Sequence, residues 1–514
     1  MKKIILLLSL GFLSITGNGQ EIKTSFVKSE IFKDEYKRSS IKLVQNDGLG
    51  GILIVRSFQG GPMSSKFGYY FEHYDSNMKL IKEYEDGAIG SALGIIFDGE
   101  IVRMIDYKYN KSEKIFTCIA LSANINDFKF SSQEIFRIDS KEIEKIPGFF
   151  MLGNESRNYD FDFGPNMIIN EDRSAFAITV DIKDRTAETH KVYLFDKSLN
   201  KKIEHTFKRE IKDKKFIYEN MDVSKDGNAL YLLGKVFTDE SKKKKEGGKY
   251  QFELTRITND SEKTQVFDTE EHFSNSLKTI VFEDRLTCVG FYSDKKDSRF
   301  KGISYFELDP TTLSIKKSKF NPFTEQFMID KYGKDKDKEL KNLSFKNLMV
   351  TASNEIVFNA EEFYTTTQTN SSPGGNINTT TIFHYDDIVT AKLNASGDIL
   401  WARNINKRQK TGGEGDYISY TSTIKGDDTF FFINTGEKVK KLSNDRIQFG
   451  QAKVNKSNLN IIKVTNSGDF DFKEVLNHDD NDIPFMVSDG AVTGENVVFI
   501  GRKGRKKQLL KITL

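Results

Sequence analysis

The fold class this sequence predicts is all-β, a β-propeller of four-stranded blades, and three observations carry that prediction. A hairpin pattern recurs along the chain, a second and more apolar strand pair precedes each hairpin, and the last repeat stops one strand short while a strand-like segment stands before the first. Repetition of one such supersecondary unit builds a core too large for a single ordinary domain of this length.

The hairpin pattern is an alternating apolar strand, a short polar turn, and a second alternating strand with charged outward positions. Its clearest copy is "DIVTAKLNASGDILWARNINK", Asp387 to Lys407, which holds Trp401, the chain's only tryptophan. Siblings run from Tyr69 to Glu85, Val192 to Lys208, Phe252 to Phe267, Ile303 to Phe320 and Asn460 to Leu476, with a degenerate copy from Phe116 to Ile138. Ahead of each lies a strand, a turn rich in Asp, Gly, Ser or Asn, and a very apolar strand, as in "MDVSKDGNALYLLGKVF" (Met221 to Phe237) and "KTIVFEDRLTCVGFYS" (Lys278 to Ser293). Four strands per module, repeated every ~50 to 85 residues, describe propeller blades.

The final module, Phe485 to Leu514, supplies three strands and leaves an open edge. The segment "IKTSFVKSEIF", Ile22 to Phe32, is expected to pair there and close the ring. The count is then eight blades, or seven if the region from Ala92 to Ile138 is not a full blade. Two β-sandwiches in tandem are the competing architecture. Composition agrees with β-structure: aromatic residues reach 12%, led by 42 Phe and 19 Tyr, and only 7 prolines interrupt the chain.

The first residues, "MKKIILLLSLGFLSITGNGQ", have the charged, apolar and small-residue order of a secretory signal peptide, with cleavage expected before Gln20. Residues 1–19 are therefore expected to be removed and 20–514 to form one exported domain. No later window is apolar enough to span a bilayer. Cys118 and Cys288 each sit in an apolar strand-like run and are expected to be buried free thiols, with a disulfide as the alternative. The helical candidate is Thr324 to Phe345, an insertion between blades five and six, while 241–249 and 364–381 read as solvated loops.

Chemistry is sparse. Lys and Arg number 77 against 74 acidic residues, so no overall field points to nucleic acid. The histidines lack metal-ligand spacing and read as surface residues, and no nucleophile elbow or phosphate loop occurs. The one carboxylate pair with a directional argument is Asp160 and Asp162 in "NYDFDFGPN". Alternate positions on a strand share a face, and both would approach the axial channel, where hard oxygen ligands suit calcium. The acidic "NHDDNDIP", with Asp479, Asp480 and Asp482, and the basic "GRKGRKK" read as solvated turns. Trp401 reads as packing between adjacent blades, at a position where other hairpins carry Leu80, Ile203 and Phe470.

The segment "IVTAKLNASGDILWARNINK" resembles the blade signature of secreted bacterial β-propeller repeat proteins. The leader and the Lys-, Asn-, Ile- and Phe-rich composition resemble exported proteins of the flavobacterial group. That resemblance implies fold and export, and no shared catalytic set. The favoured function is non-enzymatic binding or scaffolding by a monomer in the periplasm or at the cell surface, its partner a protein or a glycan. No cofactor is expected beyond a structural calcium. The alternative is a hydrolase or lyase acting on polysaccharide through channel carboxylates such as Asp160 and Asp162.

Overall fold

The computed structural model describes residues 22–35, 38–59, 67–87, 90–143, 165–184, 186–211, 215–237, 250–267, 272–294, 299–336, 338, 340–371, 377–413, 415–444 and 446–514. Among these, strands gather into eight antiparallel sheets, at 38–86, 90–139, 166–209, 216–267, 272–322, 343–411, 421–476 and 491–513, here called blades one to eight. In blades one to five and seven the strands are ordered as they occur in the chain, innermost first; blade eight takes its outermost strand from the N-terminal segment, and blade six adds a parallel strand at its outer edge. The region from Ala92 to Ile138 lies in a full four-stranded sheet.

The apolar second strands have a simple cause: they are buried on both faces. Ala175–Ile182 and Leu230–Phe237 are buried over most of their length, because each blade packs against a neighbour on either side. The described core divides into eight apolar clusters, each shared by two consecutive blades. The cluster of Ile41, Ile52, Ile54, Val498, Ile500 and Leu509 joins blade one to blade eight, so the ring is closed. Each phenylalanine fully buried in these seams contributes ~1.5–3 kcal/mol. Such a ring of radially packed four-stranded sheets is a β-propeller.

Closure follows the expected route. Ser25–Lys28 pairs antiparallel with Lys506–Thr513, Ser25 opposite Thr513 and Lys28 opposite Leu510, and Phe32–Lys33 continues on the same strand. A buried ion cluster then fastens the segment. Arg56, 1% exposed, donates to both oxygens of Glu72 and to Asp34, while Lys507 donates to Asp34 and to Ser39 Oγ (2.7 Å). Burial opposes the Asp34 charge, but Arg56 and Lys507 outweigh it and hold its carboxyl below the usual range. The "GRKGRKK" stretch is thus only partly a solvated turn, since Lys507 is buried in this cluster.

The two faces of the ring differ. Connections between strands one and two, and three and four, are tight turns such as those between Asn46 and Ile52 or Tyr74 and Leu80. Connections between strands two and three, and from one blade to the next, lie at the opposite face and include every long insertion. One of these holds the helix Glu325–Tyr332, between blades five and six. Thr324 caps its start by accepting from Phe327 N, and Gly333 ends it at φ 75°, a left-handed conformation suited to glycine. The helix is shorter than expected: the last residues of the candidate, 343–345, begin Leu343–Val350, the innermost strand of blade six. The threonine-rich 364–381 is likewise strand over most of its length, because Ile356–Ser371 and Ile377–Leu393 extend as one long hairpin. Threonine favours pleated backbone even without a buried face.

Candidate functional site

The loop-bearing end of blade six breaks the apolar rule of the other strands. Its third strand carries "YDDIV" (Tyr385 to Val389) midway along its length and its fourth carries "NKRQK" (Asn406 to Lys410) near its end, and these stretches face each other. Register shifts between Tyr385 and Ile388, and between Glu361 and Phe363, interrupt the ladder on both sides of Asp386 and Asp387. Irregularities of this kind re-aim side chains, and here both carboxylates line one cleft of about 470 Å³. The helix supplies Lys331 and Tyr332 to its wall, and Glu362 and Tyr364 come from the second strand.

A strap from blade seven completes the site. Ile447–Gly450 adds in parallel to the outer strand of blade six, with Asn406 opposite Gln448 and Arg408 opposite Gly450. The strap covers an edge that would otherwise be unpaired, and it carries Leu442, Arg446 and Gln448 into the cleft.

Most charges in and behind the cleft are mutually satisfied. Lys331 donates to Asp387 Oδ2 at 2.8 Å and to Glu362 Oε2 at 2.9 Å. Burial works against its ammonium, but Asp387 and Glu362 outweigh it and hold its pKa above the ordinary lysine value. Asp387 also accepts from Asn404 Nδ2 (3.0 Å) and from Lys407 N (3.1 Å). Behind it, Lys407 and Glu361 form a fully buried pair at 2.8 Å. Lys407 further donates to Tyr385 O and Gln409 Oε1, so its three hydrogens are all engaged. Glu361 also accepts from Ser419 Oγ (2.7 Å) and pairs with Lys346 (3.0 Å). Burial raises the cost of its charge, yet the two lysines keep the carboxyl ionised, below its usual range. The helix is held to this platform by Asp330, whose carboxylate accepts from Arg403 Nε (2.6 Å) and Nη2 (3.2 Å).

Asp386 is different. Only 8% of the residue is exposed, Tyr364 Oη donates to its Oδ2 at 3.0 Å, and its Oδ1 is buried with no hydrogen-bond partner among the described residues. Burial, then the Asp386 charge, pushes the Tyr364 phenol upward, so it stays a donor. A buried, unsatisfied carboxylate oxygen costs ~1–3 kcal/mol or more, which a ligand donor would recover.

The carboxylates expected at the channel, Asp160 and Asp162, lie outside the described residues, as do 1–21 and 241–249. Asp479, Asp480 and Asp482 are exposed, as expected of a turn. Cys118 and Cys288 are both buried free thiols, in the seams of blades two and three and of blades four and five, and burial pushes Cys288 up to about 12. The surface assignment fails for His73 and His190, which are buried. His73 Nε2 pairs with Asp47 Oδ2 at 2.8 Å, and His190 Nε2 with Glu188 Oε1 at 2.7 Å. Asp181, directly across the ladder from His190, brings three possible metal-ligand atoms within 4.8 Å of one another; Glu437, His478 and Asp479 form a second such group. Linear spacing shows only part of each group, Glu188 with His190 and His478 with Asp479, because Asp181 and Glu437 arrive from other segments.

Sequence reasoning also missed the blade-six cleft, although the quoted hairpin ends at its walls: Asp387 and Lys407 are the first and last residues of that stretch. The readable signal was two charged doublets, Asp386-Asp387 and Lys407-Arg408, on facing strands of one hairpin.

No family model and no curated protein matches the chain. Among solved structures it is similar to the β-propeller domain of the Trilobed protease from Pyrococcus furiosus, at 11% identity over 87% of this chain and 98% of that one, with a TM-score of 0.39. It is also similar to Sqt1 of Chaetomium thermophilum, solved bound to the N-terminus of ribosomal protein L10 (10% identity, 93% and 98% covered, TM-score 0.40). A third is the polysaccharide lyase Uly1 (11% identity, 84% and 91% covered, TM-score 0.38). The assignment of this chain to the β-propeller fold rests on its own closed ring of sheets.

Proposed function

We propose that the protein is an exported, non-enzymatic binding propeller whose loop-bearing face holds a polar ligand in the cleft at the end of blade six. The observation that carries this reading is the buried Asp386 Oδ1, which has no partner among the described residues and lines a cleft whose carboxylates Glu362 and Asp387 are held by Lys331. Such a site is pre-organised: the ligand meets groups already held in place. Binding is favoured over catalysis by the same arrangement. Acid and base work on a glycosidic bond needs two carboxyls free to exchange protons, whereas Glu362 and Asp387 share the Lys331 ammonium and Glu361 pairs with Lys407. The leader-like first residues support export, with the mature chain beginning at Gln20 and working as a monomer in the periplasm or at the cell surface.

A thermal-shift screen of the purified protein against soluble saccharides and short peptides tests the site. A true ligand is expected to raise the melting temperature of the native protein and to do so far less in Asp386→Ala. Equal stabilisation of both would place the ligand elsewhere. N-terminal sequencing of the protein released from cells by osmotic shock tests the leader.

A further inference from the structure

Resting on that reading of the cleft, we infer that its ligand is an anionic saccharide, a short sugar chain bearing carboxylate or sulfate groups. The inference comes from the lining groups that the protein itself leaves unsatisfied. Lys338, Arg408 and Arg446 line the cleft, and none of them meets a carboxylate among the described residues. Arg446 is nonetheless held firmly. Its Nη1 donates to the carbonyls of Lys331 (3.0 Å) and Asp330 (3.3 Å), and its Nε and Nη2 reach Ser443 O and Oγ. Carbonyls orient a guanidinium without neutralising it, so a held cation is presented with no counter-charge among the described residues. Lys338 rests over the Tyr332 ring, 4.9 Å from its centre, and Arg408 is exposed.

Opposite these cations stands Asp386, whose free oxygen needs a donor. The side-chain amides of Asn342 and Gln448, also in the lining, have no hydrogen-bond partner among the described residues. A complementary ligand must therefore offer anionic groups to three cations, a hydroxyl or similar donor to one carboxylate, and groups that both donate and accept to two amides. Leu442 is the only aliphatic residue in the lining among the described residues, so they offer little to the apolar side chains of a peptide. An acidic sugar carries all the required groups on a small, hydroxyl-rich frame, and about 470 Å³ falls within the usual ~300–1,000 Å³ of ligand sites.

Isothermal titration of the full chain with oligogalacturonate, its fully methyl-esterified form, a sulfated galactan oligosaccharide and a neutral cello-oligosaccharide tests this. One or both anionic probes are expected to bind, with affinity falling as salt rises, while the esterified and neutral probes bind at least tenfold more weakly; carboxylate and sulfate are distinguished by which anionic probe wins. Arg408→Gln, at an exposed position that holds nothing else, is expected to weaken binding several-fold, and Asp386→Asn and Arg446→Gln by tenfold or more. Trp401 fluorescence reports whether each variant has folded. Equal binding of acid and ester would overturn the anionic assignment and leave a saccharide cleft standing. Binding of anionic probes undiminished in all three variants would remove the cleft from both readings. Failure of every saccharide, with a peptide stabilising the native protein but not Asp386→Ala, would overturn this inference alone.

Discussion

Asp222 shows how a single half-buried carboxyl ties neighbouring blades together. It lies on Phe216–Val223, the innermost strand of blade four, and its Oδ2 accepts from Val281 N, at 2.7 Å, on the innermost strand of blade five. Burial pushes its pKa up to about 7, against the two backbone donors of Val281 and Val223 that favour the charge. A carboxyl raised in the folded state holds its proton more tightly there than in the unfolded chain. Its contribution to stability is complete below the ordinary value of 3.8 and is lost as pH rises through about 7. Asp222→Asn is expected to flatten the fall in urea midpoint between about pH 4 and 7. The slope removed should be below ~1.4 kcal/mol per pH unit, the limit for one full proton. An unchanged slope in the variant would rule out Asp222 as the titrating group. Neither this residue nor Asp386 was legible beforehand, since "MDVSKDG" and "YDDIV" look like ordinary turn and strand sequence. Their environments are made by strands from other repeats. The cysteines were legible because an apolar run on a strand flanked by blades is buried wherever the chain places it.

At the scale of the element, the seam between blades six and seven explains the lone tryptophan. Trp401 is 7% exposed, its Nε1 donates to Asn466 O at 3.0 Å, and its ring lies against Gly468 in the turn of the next hairpin. Gly468 has φ +89°, and an added Cβ would come within 2.7 Å of the indole. Gly468→Ala therefore combines backbone strain with overpacking and is expected to cost ~2–4 kcal/mol in denaturant titration. Trp401→Ala should cost ~3–5 kcal/mol, and a near-neutral result for either would mean that this seam is slack. The packing role was readable from one sequence, but the set of equivalent positions was not. Ladder registers align Trp401, opposite Lys392, with Ile203, opposite Leu194, and with Lys82, opposite His73, whereas Leu80 and Phe470 sit one step nearer their turns and Leu80 is 44% exposed. A bulge beside the turn shifts the count by one, and no spacing in the sequence records it. The same limit applied to the threonine-rich hairpin, whose polar surface looks like a loop but whose β-branched residues keep the ladder.

At the scale of the whole molecule, the ring was largely legible because its parts repeat: hairpins, apolar second strands and an incomplete last repeat all pointed to closure by the N-terminal segment. What repetition cannot show is where the repeats differ, and the cleft is one such difference. Removing residues 22–34 is expected to expose the edge of Lys506–Thr513 and to leave Arg56 and Lys507 without Asp34. Loss of one partner from a buried ion cluster alone costs ~3–5 kcal/mol. The truncated protein should melt lower and self-associate in size-exclusion chromatography; a monomer of unchanged melting temperature would show that the ring closes without this segment.

The register of that closing pair also sets how the molecule resists force. Because Ser25 stands opposite Thr513, the incoming and outgoing chain leave the blade at the same end of an antiparallel pair. A load applied between them peels the ladder one rung at a time instead of shearing all rungs together. Tension on the two ends should therefore open blade eight first and at low force, while a load applied across the ring through the tight-turn face meets the seams between blades and the full strength of their packing.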